Sequence, residues 1–235
     1  MVHCVRGGGE RTTKGHMATL THPNWDTVTP ELRSLLSFLG QQSFLDRFYL
    51  AGGTALALQL GHRRSIDLDF FTESDEVDSL IRQKIIHALQ PIGIQVIENA
   101  DGNLLLLASG IHVGFFSYHY PLLDEQRITE NVNLASLIDI GLMKCDALIT
   151  RGSRKDFYDL YFLSQVIPLE NLLLMAEKKY SYYRDFPLTV IERMVDFDNA
   201  DRDVQPVLIK EIPWLVVKEF FFVEAGRLGR MWIRP

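Results

Sequence analysis

The stretch that most restricts the fold is Ala51–Phe71, AGGTALALQLGHRRSIDLDFF. Two glycines interrupt the chain after Phe48-Tyr49-Leu50-Ala51, which reads as a short strand. Thr54–Leu60 then reads as a short helix closed by Gly61, and Ser65–Phe71 alternates polar and apolar residues as a strand does. That alternation sends the side chains of Asp67 and Asp69 to the same face. Two carboxylates side by side on an otherwise apolar strand suffer desolvation and mutual repulsion unless something positive lies between them. A hard divalent cation with oxygen ligands, Mg²⁺ or Mn²⁺, meets that need and is commonly shared with substrate phosphates. Just upstream, Gly52, Gly53 and Thr54 present backbone N–H groups at a helix N-terminus, which suits a phosphate. His62, Arg63 and Arg64 add donors and positive charge nearby. The plainer alternative is an exposed edge strand carrying two solvated aspartates.

The rest of the chain divides in character. Thr29-Pro30-Glu31 marks a helix start with Thr at the N-cap, and Leu32, Leu35, Leu36 and Leu39 supply its apolar stripe. A helix is expected over 75–90, then strands over 92–97, 103–109 and 111–118, with Asp101-Gly102 as a hairpin turn. From Ser136 the spacing is helical over 136–149, 155–166, 169–183, 187–195 and 213–228. Strands first and helices later imply an α+β fold. The boundaries follow: a polar, glycine-rich 1–16 outside the fold, disordered or a cloning remnant; an α/β core over 17–130; and a helical region over 131–235 packed upon it.

Composition narrows the class without naming it. With 24 Lys and Arg against 30 Asp and Glu, the charge of -6 argues against bulk electrostatic binding of nucleic acid. Cys4 and Cys145 form neither a disulfide framework nor a zinc pattern. No apolar run approaches the ~18 residues of a membrane helix, so a cytoplasmic protein without membrane contact is expected. The average hides a local basic patch, in which Lys144, Arg151, Arg154 and Lys155 face one acid, Asp146. Such a patch on an acidic protein suits a triphosphate or an RNA phosphate. Asp156 and Asp159 open the next helix, where carboxylates also serve as caps.

The segment from Gly52-Gly53 to Asp67-Leu68-Asp69 resembles the signature of the AbiEii/AbiGii toxin family, a branch of the DNA-polymerase-β-like nucleotidyltransferases. A second block, Asp139–Lys144 followed by Arg151–Leu160, is similar to that family's Lys and Lys-Asp motif, and Phe197–Asp201 through Trp214 and Phe220 is a weaker echo. The resemblance runs from about Pro30 to about Leu228. It implies a polymerase-β-like core and transfer of NMP from an NTP to an acceptor hydroxyl, an RNA such as tRNA, with growth arrest opposed by a cognate antitoxin. It assigns Asp67 and Asp69 to the metal. Gly52, Gly53, Thr54, Arg64 and Ser65 would cradle the phosphates, with Lys144, Arg151 and Lys155 against the triphosphate. Asp156 or Asp159 would organise the site or activate the acceptor.

One feature departs from the pattern. Enzymes of this superfamily use a third carboxylate on a later strand, and the corresponding position in Ile111–Phe116 holds Gly114. No acid lies between Asp101 and Asp124. The register of the comparison is shifted, or another carboxylate such as Asp156 or Asp159 substitutes, or the chain binds nucleotide without transferring it. His112 shares the face of Gly114 and is a further candidate base. A metal-dependent hydrolase built on Asp67 and Asp69 is the third class. Asp196, Asp198 and Asp201 are no calcium loop, since its sixth and twelfth positions hold Asp201 and Val207. Tyr180, Tyr182 and Tyr183 read as helix packing rather than as an RNA-stacking surface.

Overall fold

The computed structural model describes residues 18–73 and 77–232. The polar segment 1–16 and the first two residues of the helix expected from 75 lie outside the described residues. In chain order the elements are β1 (Ala18–Thr19), α1 (Pro30–Leu39), β2 (Tyr49–Leu50), α2 (Gly52–Leu60), β3 (Leu68–Thr72), α3 (Ser79–Leu89), β4 (Ile94–Ala100), β5 (Asn103–Ala108), β6 (Ile111–Ser117), β7 (Arg127–Thr129) and β8 (Val132–Leu134). Six helices follow: α4 (Leu137–Thr150), α5 (Arg154–Ser164), α6 (Leu169–Lys179), α7 (Phe186–Arg193), α8 (Asp198–Arg202) and α9 (Trp214–Trp232). The fold is α+β, a mixed sheet with a substantial helical complement.

Local chemistry sets most of the boundaries. The Thr29 hydroxyl accepts the Leu32 N–H at 3.2 Å and Pro30 opens α1, as the sequence implies. Asp78 caps α3 through the Ile81 N–H, so that helix begins at 79 rather than 75. Helix α2 includes both glycines and so begins at 52 rather than 54, ending on Gly61 at φ 65°. The strand expected over 65–71 begins at Leu68, which leaves Asp67 at its mouth. Asp101-Gly102 does turn β4 into β5. Three short strands, β1, β7 and β8, have no counterpart in the sequence reading. Glu130 and Asn131, both at positive φ, make the tight β7–β8 turn, and neither is the glycine that usually marks one.

The strand order is β1-β7-β8-β2-β3-β6-β5-β4. Next to one another in its middle lie β3 and β6, which pair in parallel with Asp69 opposite Gly114. Alternate residues Leu68 and Phe70 of β3 and Val113 and Phe115 of β6 are fully buried. Phe70 stacks on Phe115 at 5.3 Å between centroids, and Phe44 and Phe48 meet Phe115 edge-on at 5.8 and 5.3 Å. This aromatic floor fixes both strands and so the position of the opposite face, where Asp67, Asp69, His112 and Gly114 project. Helix α2 buries Ala55, Leu56, Ala57 and Leu58 completely, and it contacts β3 on one side and α4 and α5 on the other. It thus ties the helical half to the sheet.

Candidate active site

Asp69 is placed by the pleat of β3 and Asp67 by the approach to it, and both face the N-terminus of α2. Gly52 is required there twice over. Its φ of 64° is one that side chains rarely adopt, and a Cβ at that position would lie 2.8 Å from Asp69 Oδ2. Gly53 is confined by space alone, because its Cβ would strike the Arg63 guanidinium. The N-cap residue of α2, Ala51, supplies no side-chain cap. Its first-turn N–H groups have no acceptor within the helix, and they open beside the two carboxylates. Burial and the neighbouring Asp67 push the Asp69 carboxyl up from its ordinary range, against the pull of Lys144, Lys155 and Arg151. His112, opposite on β6, brings Nδ1 within 3.4 Å of Asp67 Oδ1.

Behind these groups lies a buried ionic network. Asp159 accepts from His62 Nε2 at 2.8 Å, from Arg63 Nε at 2.6 Å and Nη2 at 2.9 Å, and from Lys144 Nζ at 2.6 Å. Asp156 accepts from Lys144 Nζ at 2.9 Å and from Arg151 Nε at 2.7 Å and Nη2 at 2.8 Å, and the Ser153 hydroxyl joins it. Both carboxylates are fully buried. Burial alone would raise them, yet Arg63 and Lys144 hold Asp159 far below the carboxylate range, and Lys144 and Arg151 do the same for Asp156. Desolvation works against Lys144 as well, but Asp159 and Asp156 overrule it and keep the ammonium protonated. Burial outweighs Asp159 at His62, which stays neutral. Three cations against two carboxylates leave the network positive under the Asp67–Asp69 pair.

The surface over this network is a cavity of about 630 Å³ lined by Gly52, Gly53, Asp67, Asp69, Arg63, Arg64, Ser65, Lys144, Arg151 and Lys155, and closed by residues 203–207. Backbone bonds tie that last segment to the basic turn, from Arg64 N–H to Val207 O and from Ile209 N–H to His62 O. The residues singled out in the sequence therefore converge, with three distinctions. Thr54 is buried, and its hydroxyl is engaged by the Asp67 carbonyl and, at 2.8 Å, by Ser65 Oγ. Asp156 and Asp159 do not line the cavity. Arg63, read only as nearby charge, is the principal partner of Asp159; that pairing spans 96 positions and leaves no local pattern.

The structure also bears on the missing carboxylate. Gly114 lies directly across the ladder from Asp69, so a side chain there would stand beside the carboxylate pair. A Cβ on Gly114 would collide with the Phe116 ring, which occupies the space beside it. Among the described residues no group of three or more His, Cys, Asp or Glu is arranged to hold a metal. Asp67 and Asp69 offer a pair of hard oxygen ligands beside the α2 N-terminus, and that pair fits a divalent cation that takes its remaining ligands from phosphate and water. No helix among the described residues is long and apolar enough to cross a membrane.

Comparison with known proteins bears on the family and the fold. Residues 33–211 match the family model for the nucleotidyl transferase AbiEii toxin of type IV toxin–antitoxin systems. An uncharacterized protein of Aquifex aeolicus (strain VF5) is 36% identical over 196 residues, covering 81% of this chain and 92% of the relative. A crystal structure of a candidate nucleotidyltransferase from H. pylori superposes with a TM-score of 0.50 at 18% identity, over 85% of this chain and 92% of the other, a likeness of fold. The nucleotidyltransferase toxin MenT4 of Mycobacterium tuberculosis H37Rv gives a TM-score of 0.48 at 16% identity, over 84% of this chain and 85% of its own. The site and the family match lead to one conclusion: the chain belongs to the AbiEii nucleotidyl transferase toxin family.

Proposed function

We propose that this protein transfers the NMP moiety of a nucleoside triphosphate to an acceptor hydroxyl, an RNA of tRNA type, and acts as the toxin countered by a cognate antitoxin. The observation that supports this reading is the placement of Asp67 and Asp69 against the N-terminus of α2, above a positively charged network. Asp67 and Asp69 would hold Mg²⁺ or Mn²⁺, which supplies charge neutralisation of the triphosphate. The N–H groups at Gly52 and Gly53, with Arg64 and Lys155, bind the phosphates. Arg151, half its side chain exposed and half anchored on Asp156, presents a fixed positive charge at the same wall. In-line attack by the acceptor oxygen forms a bond to the α-phosphorus as pyrophosphate leaves with the electrons of the broken P–O bond, and the hydroxyl proton passes to water. The chain's contribution is orientation and preset charge. Lys144, Asp156, Asp159 and Arg63 act as positioning residues, since their charged groups are spent on one another.

The test is incubation of the full chain with Mg²⁺, labelled NTPs and total RNA. Label on RNA that is lost in Asp67→Ala supports transfer. Nucleotide binding without label on any acceptor favours the reading of a degenerate binder, which the glycine at 114 motivates. Free nucleotide products with unlabelled RNA favour a hydrolase.

A further inference from the structure

A second, smaller cavity of about 180 Å³ adjoins the first, walled by Phe71, Tyr118, Met143, Asp146, Ala147 and Thr150. Gly52, Asp69, Lys144 and Arg151 line both cavities, so the two meet at Asp69, where the α-phosphate is expected. The walls are flat and fixed. Tyr118 meets Phe71 edge-on at 5.6 Å, and its hydroxyl bonds the Tyr180 hydroxyl at 2.8 Å. A space near 150 Å³ accepts a benzene-sized ring, and aromatic walls favour stacking of a base.

Asp146 is, besides Asp69, a polar group of this slot whose carboxylate is left without a protein partner among the described residues. Its backbone carbonyl accepts from Thr150 at 3.1 Å, but its carboxylate has no hydrogen bond or ion pair among the described residues. Burial pushes that carboxyl up, while the charge of Arg151 pulls it down. Asp69 on β3, Tyr118 after β6, Tyr180 on the far side of α6, and Cys145, Lys144 and Arg151 on or beside α4 are the titratable groups around it. None of them donates to it.

We infer that the smaller cavity receives the nucleobase of the triphosphate and that the Asp146 carboxylate accepts a hydrogen bond from an exocyclic amino group. The inference rests on the proposed transferase reading. Adenine, cytosine and guanine carry such a group. Uracil presents a carbonyl oxygen there and leaves a desolvated carboxylate facing a second acceptor. Losing a hydrogen bond to a charged group weakens binding by about 10- to 100-fold, so UTP is the disfavoured triphosphate.

Calorimetric titration of the full chain with ATP, CTP, GTP, UTP and inorganic tripolyphosphate, at fixed Mg²⁺ and without RNA, tests this. At least one amino-bearing NTP binds 10- to 100-fold more tightly than both UTP and tripolyphosphate. In Asp146→Asn, whose amide donates as well as accepts at nearly the same volume, UTP gains and the gap closes to a few fold. UTP binding to the native chain as tightly as the best amino-bearing NTP overturns the inference, and this needs no variant. An unchanged gap in a folded Asp146→Asn overturns it too. Tripolyphosphate binding as well as every NTP removes the base pocket and spares the transferase, whereas no binding of any of the five ligands removes the proposed function itself.

Discussion

Asp159→Asn separates what holds the site from what reacts in it. The carboxylate lies at zero exposure and accepts four bonds from three residues, two of them cations. The amide places a donor against Arg63 or Lys144 and cancels the charge that balances them, leaving Asp156 to face the buried cations. Breaking a buried pair from one side costs about 3–5 kcal/mol, against a total stability of about 5–15 kcal/mol for a domain. In a chain of this size that is a fall in Tm of roughly 6–20 °C, at about 2–4 °C per kcal/mol. Asp67→Ala is the control. Its side chain is 38% exposed and repels Asp69, so the substitution stays within about 0.5 kcal/mol. Urea unfolding of both variants, read beside label transfer, gives the answer. A stable but inactive Asp159→Asn would refute the positioning role and move Asp159 to the reacting atoms. An Asp67→Ala that unfolds as early as Asp159→Asn would refute the assignment of Asp67 to the open site. Acid behaves consistently with the network. Asp159 and Asp156 are depressed in the fold, so the stability they supply is complete above the unfolded carboxylate value of about 3.9. It drains away as the pH falls from there through the lower folded values, and Asp159→Asn flattens that loss.

The opposite sign holds at Asp69. Its carboxyl is raised in the fold, so the ionised form costs stability at neutral pH; Asp69→Asn therefore raises Tm at pH 7 while abolishing transfer. The gain fades as the pH falls through the folded value and is gone below the unfolded one, and thermal melts at stepped pH check this. At the empty carboxylate position, Gly114→Asp alone drives its Cβ into Phe116 and destabilises by about 1–3 kcal/mol without speeding transfer. Combined with Phe116→Ala it gives faster transfer than Phe116→Ala alone, in the same label assay. An equal rate for the two would show that the space beside Asp69 is not where a third carboxylate acts.

The elements that frame the site were legible where local chemistry specifies them. The Gly-Gly break, the period-two run to Phe71, the Thr29 cap and the Asp101-Gly102 turn each carry their own signal within a few residues. The helical half was legible from apolar spacing, apart from the five-residue α8, too short to show a period. Strands β1, β7 and β8 were not, because two or three residues show no alternation. Within the site Asp67, Asp69, Gly52 and Gly53 were read from the pleat and the helix N-terminus, and Lys144, Arg151 and Lys155 from the basic patch. The burial of Asp156 and Asp159 was not. At the start of a helix a carboxylate can cap, coordinate or pair, and the choice here is made by Arg63 and Lys144, which only the tertiary fold brings to them. Asp146 was equally hidden, read as the lone acid of a basic patch until the wall of Phe71 and Tyr118 closed beside it.

The distance along the chain between Arg63 and Asp159 also sets an order of events during synthesis. A ribosome adding about 5–20 residues per second delivers Asp67 and Asp69 roughly 5–20 s before Asp159. Through that interval the two acids exist without the α4–α5 floor and without the 203–207 wall that closes the cavity. A nascent or prematurely ended chain lacking α5 thus carries the visible signature and none of the charge arrangement behind it. The transfer proposed above therefore depends on residues translated late, and a chain that ends before α5 is expected to be inert.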